Sequence, residues 1–153
     1  MSTDSVGKSN AISRLARAPL IGIDLVETER LRQRLERTPS LRRELFTPAE
    51  LTYCEAQFAS YQHLAARFCA KEAVAKALGL DGFEPHDIEI SGGANRVQLV
   101  LHGKALARAR RLRVVVSISL SHLEAIAAGI ALALPTAVYG QAPTTRSVKG
   151  RRL

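Results

Sequence analysis

The spacing of apolar residues changes several times along the chain, and each change predicts a structural element. Leu20 to Val26 is a short apolar run with β-branched residues, the pattern of a strand, and Asp24 interrupts it. From Glu27 to Arg37, Leu31 and Leu35 recur four apart, which predicts a helix that Thr38-Pro39-Ser40 breaks. Thr47-Pro48-Ala49-Glu50 is a helix start, with Thr47 at the N-cap, Pro48 at the first helical position and Glu50 closing a capping box. That helix is predicted to run to about Ala59, and the next from about Gln62 to Gly79. Gly79 to Pro85 reads as a loop. Asp87 to Ser91 and Arg96 to Leu101 read as strands around Gly92-Gly93-Ala94-Asn95, and Lys104 to Leu112 as a short basic helix. Val114 to Leu120 and Ala125 to Leu134 suit the last two strands, although the second is Ala-rich enough to be helical. The sum is an α+β domain over residues 19–135, with disorder expected in the polar leader 1–18 and the Pro-, Thr-, Ser-rich and basic tail 136–153.

One predicted helix breaks the usual pattern. In Arg67 to Gly79, RFCAKEAVAKALG, the 3.6-residue period puts Glu72 and Lys76 one turn apart on a stripe shared with Phe68 and Cys69. Ala66, Ala70, Ala73 and Ala77 gather on a separate face of small residues. A surface helix ordinarily sets its charges opposite its bulky apolar groups. Here a carboxylate and an ammonium lie among them.

Composition narrows the class. At 153 residues and 46% apolar, the chain suits one globular domain; with 5% aromatics and no Trp, its core must be built from Leu, Ile, Val and Ala. Cys54 and Cys69 match neither a disulfide framework nor a zinc pattern and are expected to be reduced thiols of a cytoplasmic protein. The N-terminal MSTDSVGKSN lacks the apolar core of a signal peptide, and no apolar run reaches membrane-spanning length. The formal charge of +8 implies an acidic partner: nucleic acid, an anionic surface, a phosphorylated small molecule or an acidic protein. The excess lies in three groups. Arg30, Arg32, Arg34, Arg37, Arg42 and Arg43 are diluted by Glu27, Glu29, Glu36 and Glu44; Lys104, Arg108, Arg110, Arg111 and Arg113 form the second group; Arg146, Lys149, Arg151 and Arg152 end the chain. A nucleic-acid module would also account for the charge, but the chain has no aromatic stacking set or recognised DNA or RNA motif.

Polar residues inside apolar runs carry the chemistry, because a buried charge without a partner is costly. Asp24 sits in its strand, Glu72 in its helix with Lys76 one turn on, and His122 ends Ser119-Leu120-Ser121-His122 after an apolar run. Singly, each has an ordinary explanation: a strand end, a surface ion pair worth about 0.3–0.5 kcal/mol, a turn or helix cap. Together, two carboxylates with few nitrogen or sulfur ligands nearby suit a hard divalent cation such as Mg²⁺, completed by water and a substrate phosphate, with the lysine countering phosphate charge.

The combination resembles a known family. Gly22-Ile23-Asp24-Leu25-Val26-Glu27, Phe46-Thr47-Pro48-Ala49-Glu50, Arg67 to Gly79, Asp87-Ile88-Glu89-Ile90 and Ser119-Leu120-Ser121-His122 are similar, in order and spacing, to the motifs of the holo-[acyl-carrier-protein] synthases. These are small 4′-phosphopantetheinyl transferases, and the likeness covers roughly Ile21 to Leu134. It implies a small antiparallel sheet packed with helices. It also implies a reaction in which the phosphopantetheine arm of coenzyme A passes to a serine of an apo carrier protein and adenosine 3′,5′-bisphosphate leaves.

By position, the resemblance assigns Asp24 and Glu72 to Mg²⁺ and Lys76 to the phosphate and the leaving group, and it implies that the edge they share with Phe68 and Cys69 faces a ligand or partner rather than bulk water. Ser121 and His122 would line the coenzyme A site, and Gly79 would let the backbone approach the nucleotide. Arg30 would lie on the helix that docks the acidic acyl carrier protein, although Glu29 stands where that helix often carries another basic residue. A homotrimer with active sites between subunits, serving fatty acid or polyketide biosynthesis, is implied with it, and neither a nucleic acid nor a membrane is an expected partner. Either Glu72 or a water could take the serine proton, and an inactive scaffold of the same fold is the remaining alternative.

Overall fold

A nearly all-round buried helix on a three-stranded sheet organises the molecule. The computed structural model describes residues 18–82, 84–93 and 96–138. Strand β1 (Leu20–Glu27) leads into α1 (Thr28–Arg37), α2 (Ser40–Leu45), α3 (Pro48–Glu55) and the long α4 (Ser60–Leu78). A 3₁₀ turn (Pro85–Asp87) precedes β2 (Ile88–Ser91) and β3 (Gln98–Leu101), and α5 (Gly103–Leu112), β4 (Val114–His122) and β5 (Ile126–Pro135) follow. The main sheet is antiparallel in the order β1-β5-β4, and β2 and β3 form a separate antiparallel pair. The leader 1–17 and the tail 139–153 lie outside the described residues, while residues 136–138, expected in the tail, form a 3₁₀ turn.

The small-residue face of α4 explains how it packs. Ala70, Ala73 and Ala77 are buried against the sheet, with Val74, Leu78, Ile88, Ile90, Ala105, Ala109 and Ala131 around them. A second cluster joins Leu64, Ala65, Ala66 and Cys69 of α4 to Leu31, Leu35, Phe46, Cys54 and Ala127. Two glycines let helix and sheet backbones touch. A Cβ on Gly22 would strike the Ala73 carbonyl and the Ala77 nitrogen, and one on Gly129 would strike the backbone of Cys69 and Ala70.

The Thr47 capping box forms as expected, with Glu50 N–H donating to the Thr47 hydroxyl and Thr47 N–H to the Glu50 carboxylate. Thr38-Pro39-Ser40 ends α1 at Arg37 as expected and also opens the short helix α2, because Pro39 takes helical dihedrals as its N-cap. Two expectations need correction. Helix α3 ends at Glu55 rather than near Ala59. Cys69 does not line a ligand-facing edge: the crossing of α4 over the sheet buries it fully, with its Sγ 3.4 Å from the Ala127 carbonyl. The Ala-rich last segment is a strand, since its alternate residues Ala127, Gly129, Ala131 and Ala133 are the small ones on which α4 can lie.

The other face of the sheet carries no helix among the described residues. Ile21, Ile23 and Leu25 of β1 and Ile126 and Ile130 of β5 project there, 43–63% exposed. No helix among the described residues is long and apolar enough to cross a membrane.

Candidate active site

The close crossing of α4 over β1 brings the charges together. Asp24 is two residues beyond Gly22 and pairs in register with Gly129, so its side chain leaves the sheet on the helix side. There its Oδ1 lies 2.6 Å from Lys76 Nζ, which also donates to the Ile23 carbonyl at 3.1 Å. Glu72, one helical turn earlier, is half-buried and has no hydrogen bond or ion pair among the described residues. Burial, and then the neighbouring Asp24 charge, push its carboxyl pKa up, with Lys76 partly offsetting them. The hydrogen bond to Asp24 pushes the Lys76 ammonium up, so it stays charged. Two carboxylates face one ammonium, a local excess of negative charge that invites a further cation.

Glu72 and Lys76 open onto a cavity of about 440 Å³, closed by Leu45, Gly79, Leu80, Asp81, Gly82 and Pro85. Gly79 caps α4 in the left-handed conformation, φ 60°, where a side chain would be strained. The cavity walls are held from below. Lys71, 1% exposed, donates to the carbonyls of Leu45 (2.9 Å) and Pro85 (2.8 Å) and pairs with Glu50 at 2.7 Å. Glu50 also accepts from Ile90 N–H at 2.8 Å. Burial pulls the Lys71 pKa down and the Glu50 charge resists it. Lys71 and Glu50 thus tie α2, α3, α4, the 3₁₀ turn and β2 into one node.

Ser121 and His122 lie elsewhere. They border a cavity of about 220 Å³ with Tyr53, His63, Arg67, Gly92 and Leu120, near the first turns of α4. His122 Nδ1 is 3.1 Å from Gln62 Oε1, and the His122 and His63 rings meet at 4.5 Å. Arg67 is 2% exposed, stacks 4.1 Å from the Tyr53 ring centre, donates to the Gly92 carbonyl at 2.7 Å and leaves Nε without a partner among the described residues. From His63 to Lys76 is thirteen residues, about 20 Å along a helix. One chain therefore brings Asp24, Glu72, Lys76 and Gly79 together and keeps Ser121 and His122 apart from them. Arg30 stands on α1 beside Leu25, Arg34 and Phe68, on a third concavity.

Sequence reasoning passed over Arg67, Lys71, Glu50 and the His63–His122 contact. The only local signal was a run of charges in a segment whose small residues demanded burial. Cys54 and Cys69 are buried, which pushes their thiols up to about 11 and about 12 and leaves them unreactive near neutral pH.

Comparison with known proteins bears on the same residues. The family model of the 4′-phosphopantetheinyl transferase superfamily matches residues 20–131. The holo-[acyl-carrier-protein] synthase of Moorella thermoacetica is 48% identical over 117 residues, covering 72% of this chain and 90% of its own. That of Frankia alni is 41% identical over 122 residues, covering 76% and 94%. Among solved structures, the Chronobacterium ammoniagenes ACPS–CoA complex superposes with a TM-score of 0.70 at 27% identity, covering 78% of this chain and 98% of that one. On these grounds the chain belongs to the 4′-phosphopantetheinyl transferase superfamily, among its holo-[acyl-carrier-protein] synthases.

Proposed function

We propose that this protein moves the 4′-phosphopantetheine arm of coenzyme A to a serine of an acidic apo acyl carrier protein, in a Mg²⁺-dependent reaction that serves fatty acid or polyketide biosynthesis in the cytoplasm. The observation that carries the reading is the pair of partly buried carboxylates, Asp24 bonded to the Lys76 ammonium and Glu72 left without a partner among the described residues, with Glu72 and Lys76 on the wall of the cavity. The names of the related synthases and the CoA complex of the similar structure support it.

The donor set fits Mg²⁺. No group of three or more His, Cys, Asp or Glu side chains converges among the described residues, so a metal here would complete its shell from water and substrate oxygens, as Mg²⁺ does. Asp24 and Glu72 would hold it, and when bound it supplies positive charge to the pyrophosphate. The remaining work falls to the chain. The serine oxygen forms its bond to phosphorus as the bond to the departing adenosine bisphosphate breaks. Lys76, charged and braced by Asp24 and the Ile23 carbonyl, meets the negative charge that develops on the leaving group. Glu72 or a water beside it takes the serine proton. Gly79 leaves the helix end open to the nucleotide, and Arg30 contributes to carrier docking.

The uncovered sheet face and the distance between the two cavities support a homotrimer, with Ser121 and His122 of one copy completing the coenzyme A site of the next. Ile130→Glu places a charge at the centre of that face. It should lower the mass measured by light scattering toward a single chain and abolish transfer; an unchanged mass would refute the assembly.

The direct test mixes the protein with coenzyme A, Mg²⁺ and an apo acyl carrier protein and weighs the carrier by mass spectrometry. A gain of one phosphopantetheine arm that a chelator prevents is the expected result. A carrier of unchanged mass, across several unrelated carriers, would reject the reading.

A further inference from the structure

The 3₁₀ turn Pro85–Asp87 flanks the reaction cavity, and each of its three residues is tied to a different helix. The Pro85 carbonyl accepts from Lys71 Nζ of α4 at 2.8 Å. His86 Nε2 lies 2.7 Å from the Arg43 carbonyl of α2. The Asp87 carboxylate accepts from the Lys104 N–H at 2.8 Å, which satisfies an amide in the first turn of α5. Pro85 also fixes its own φ, so the turn enters these bonds with little freedom to lose.

Two of the ties join the same pair of elements. Pro85 borders the cavity together with Leu45, which lies two residues past Arg43 on α2. Lys71 bonds the carbonyls of both from below. His86 repeats the connection from the solvent side. A carbonyl can only accept, so Nε2 carries a proton whether the ring is neutral or charged, and the tie survives the titration of the ring.

The two ties differ in what depends on them. Lys71 is sealed in with the Glu50 charge, so its loss disturbs the fold as well as the cavity. His86 is exposed, and it is absent from the described residues that border the cavity. It can act on the site only by holding Pro85 against Leu45.

We infer that His86 is a positioning residue for coenzyme A: by fastening the 3₁₀ turn to α2, it sets the Leu45–Pro85 side of the cavity before the substrate arrives. The inference rests on the transfer reading above and adds to it a residue that works through the wall rather than on the reacting atoms. A wall already in place spares binding the cost of ordering it, so the effect falls on affinity. Asp24, Glu72 and Lys76 stand on β1 and α4, outside the pair of elements that His86 joins, and kcat should not depend on it.

The test measures coenzyme A binding to the full chain by calorimetry, and steady-state transfer with Mg²⁺ and an apo acyl carrier protein. In His86→Ala, the Kd and KM for coenzyme A should rise about three- to tenfold, the scale of one hydrogen bond, with kcat and the carrier KM unchanged. His86→Gln places its amide nitrogen at the same position along the side chain and should recover most of the loss. Thermal melts of both variants should stay close to the wild type, because the ring is exposed. Unchanged Kd and KM for coenzyme A in His86→Ala would overturn the inference. A rise that glutamine does not relieve would overturn it too, as would a fall in kcat with coenzyme A affinity intact. A lower melting temperature without a change in that affinity would reduce His86 to a tie of the fold and overturn it as well. Protein that binds coenzyme A, loses affinity in His86→Ala and modifies no carrier would keep the role of His86 and reject the transfer reading instead.

Discussion

Helix α4 carries two lysine–carboxylate clusters little more than a turn apart, and they are built on opposite principles. Lys71 and Glu50 are sealed from water, and between them they satisfy the Leu45 and Pro85 carbonyls and the Thr47 and Ile90 amides. Lys76 and Glu72 sit at a cavity wall, with the Lys76 side chain 52% exposed and bonded to Asp24 and the Glu72 carboxylate left over. Lysine and carboxylate alone therefore say little about role. A closed ledger of partners marks a group that holds the fold, and an open one marks a group waiting for something the chain does not contain.

The comparison makes opposite demands on substitutions in the two clusters. Glu72→Gln should reduce transfer on the order of 10³-fold or more, because the charge that the proposed reaction sets against the cation and the reacting serine is gone. Thermal stability should hold or rise, since a half-buried carboxylate beside Asp24 is relieved of its charge. Retained turnover, measured by carrier mass, would collapse the distinction from the active side. Lys71→Met should cost about 3–5 kcal/mol of unfolding free energy by stranding the Glu50 charge and releasing the Leu45 and Pro85 carbonyls. Denaturant melts that overlay those of the wild type would show that this cluster is dispensable.

A smaller effect tests the partly buried groups at the other end of the helix. Burial, then the charges of His122 and Arg67, pull the His63 pKa below its ordinary value. The folded protein then binds fewer protons than the unfolded chain as the pH falls through about 6.5, so stability falls with it; above that range the residue contributes no pH dependence. Melting temperatures taken across this range should fall less steeply in His63→Asn than in the wild type. Identical slopes would show that the ring is free to protonate in place.

Much of the fold was legible because it is written locally. The Thr47 capping box, the turn glycines, the apolar run of β1 and the Leu31–Leu35 spacing each involve neighbours in the chain. Helix α2 was hidden because Thr38-Pro39-Ser40 carries the same signal whether a proline ends one helix or opens the next. The buried charges were hidden for a deeper reason. Lys71 finds Glu50, Leu45 and Pro85, and Arg67 finds Tyr53 and Gly92, all between 14 and 26 residues away along the chain. No periodicity reports such partners. Asp24, Glu72 and Lys76 could be singled out because charge in an apolar run is conspicuous, and the family resemblance supplied their grouping. That Ser121 and His122 would lie about four helical turns from Lys76 could be read only from the packing of β4 against the start of α4.

The contact of backbones at Gly22 and Gly129 has a consequence for how the chain can vary. Where helix and sheet are separated by side chains, every core replacement resets their spacing by a methyl group or two. Here the gauge between the strand bearing Asp24 and the helix bearing Glu72 and Lys76 is set by peptide groups in direct contact. Peptide dimensions do not drift with sequence. The surrounding alanines, valines and leucines are thus at liberty to exchange while the span between the two carboxylates proposed to hold one ion keeps its tolerance. The two glycines that seem to contribute nothing are the calibration of the site.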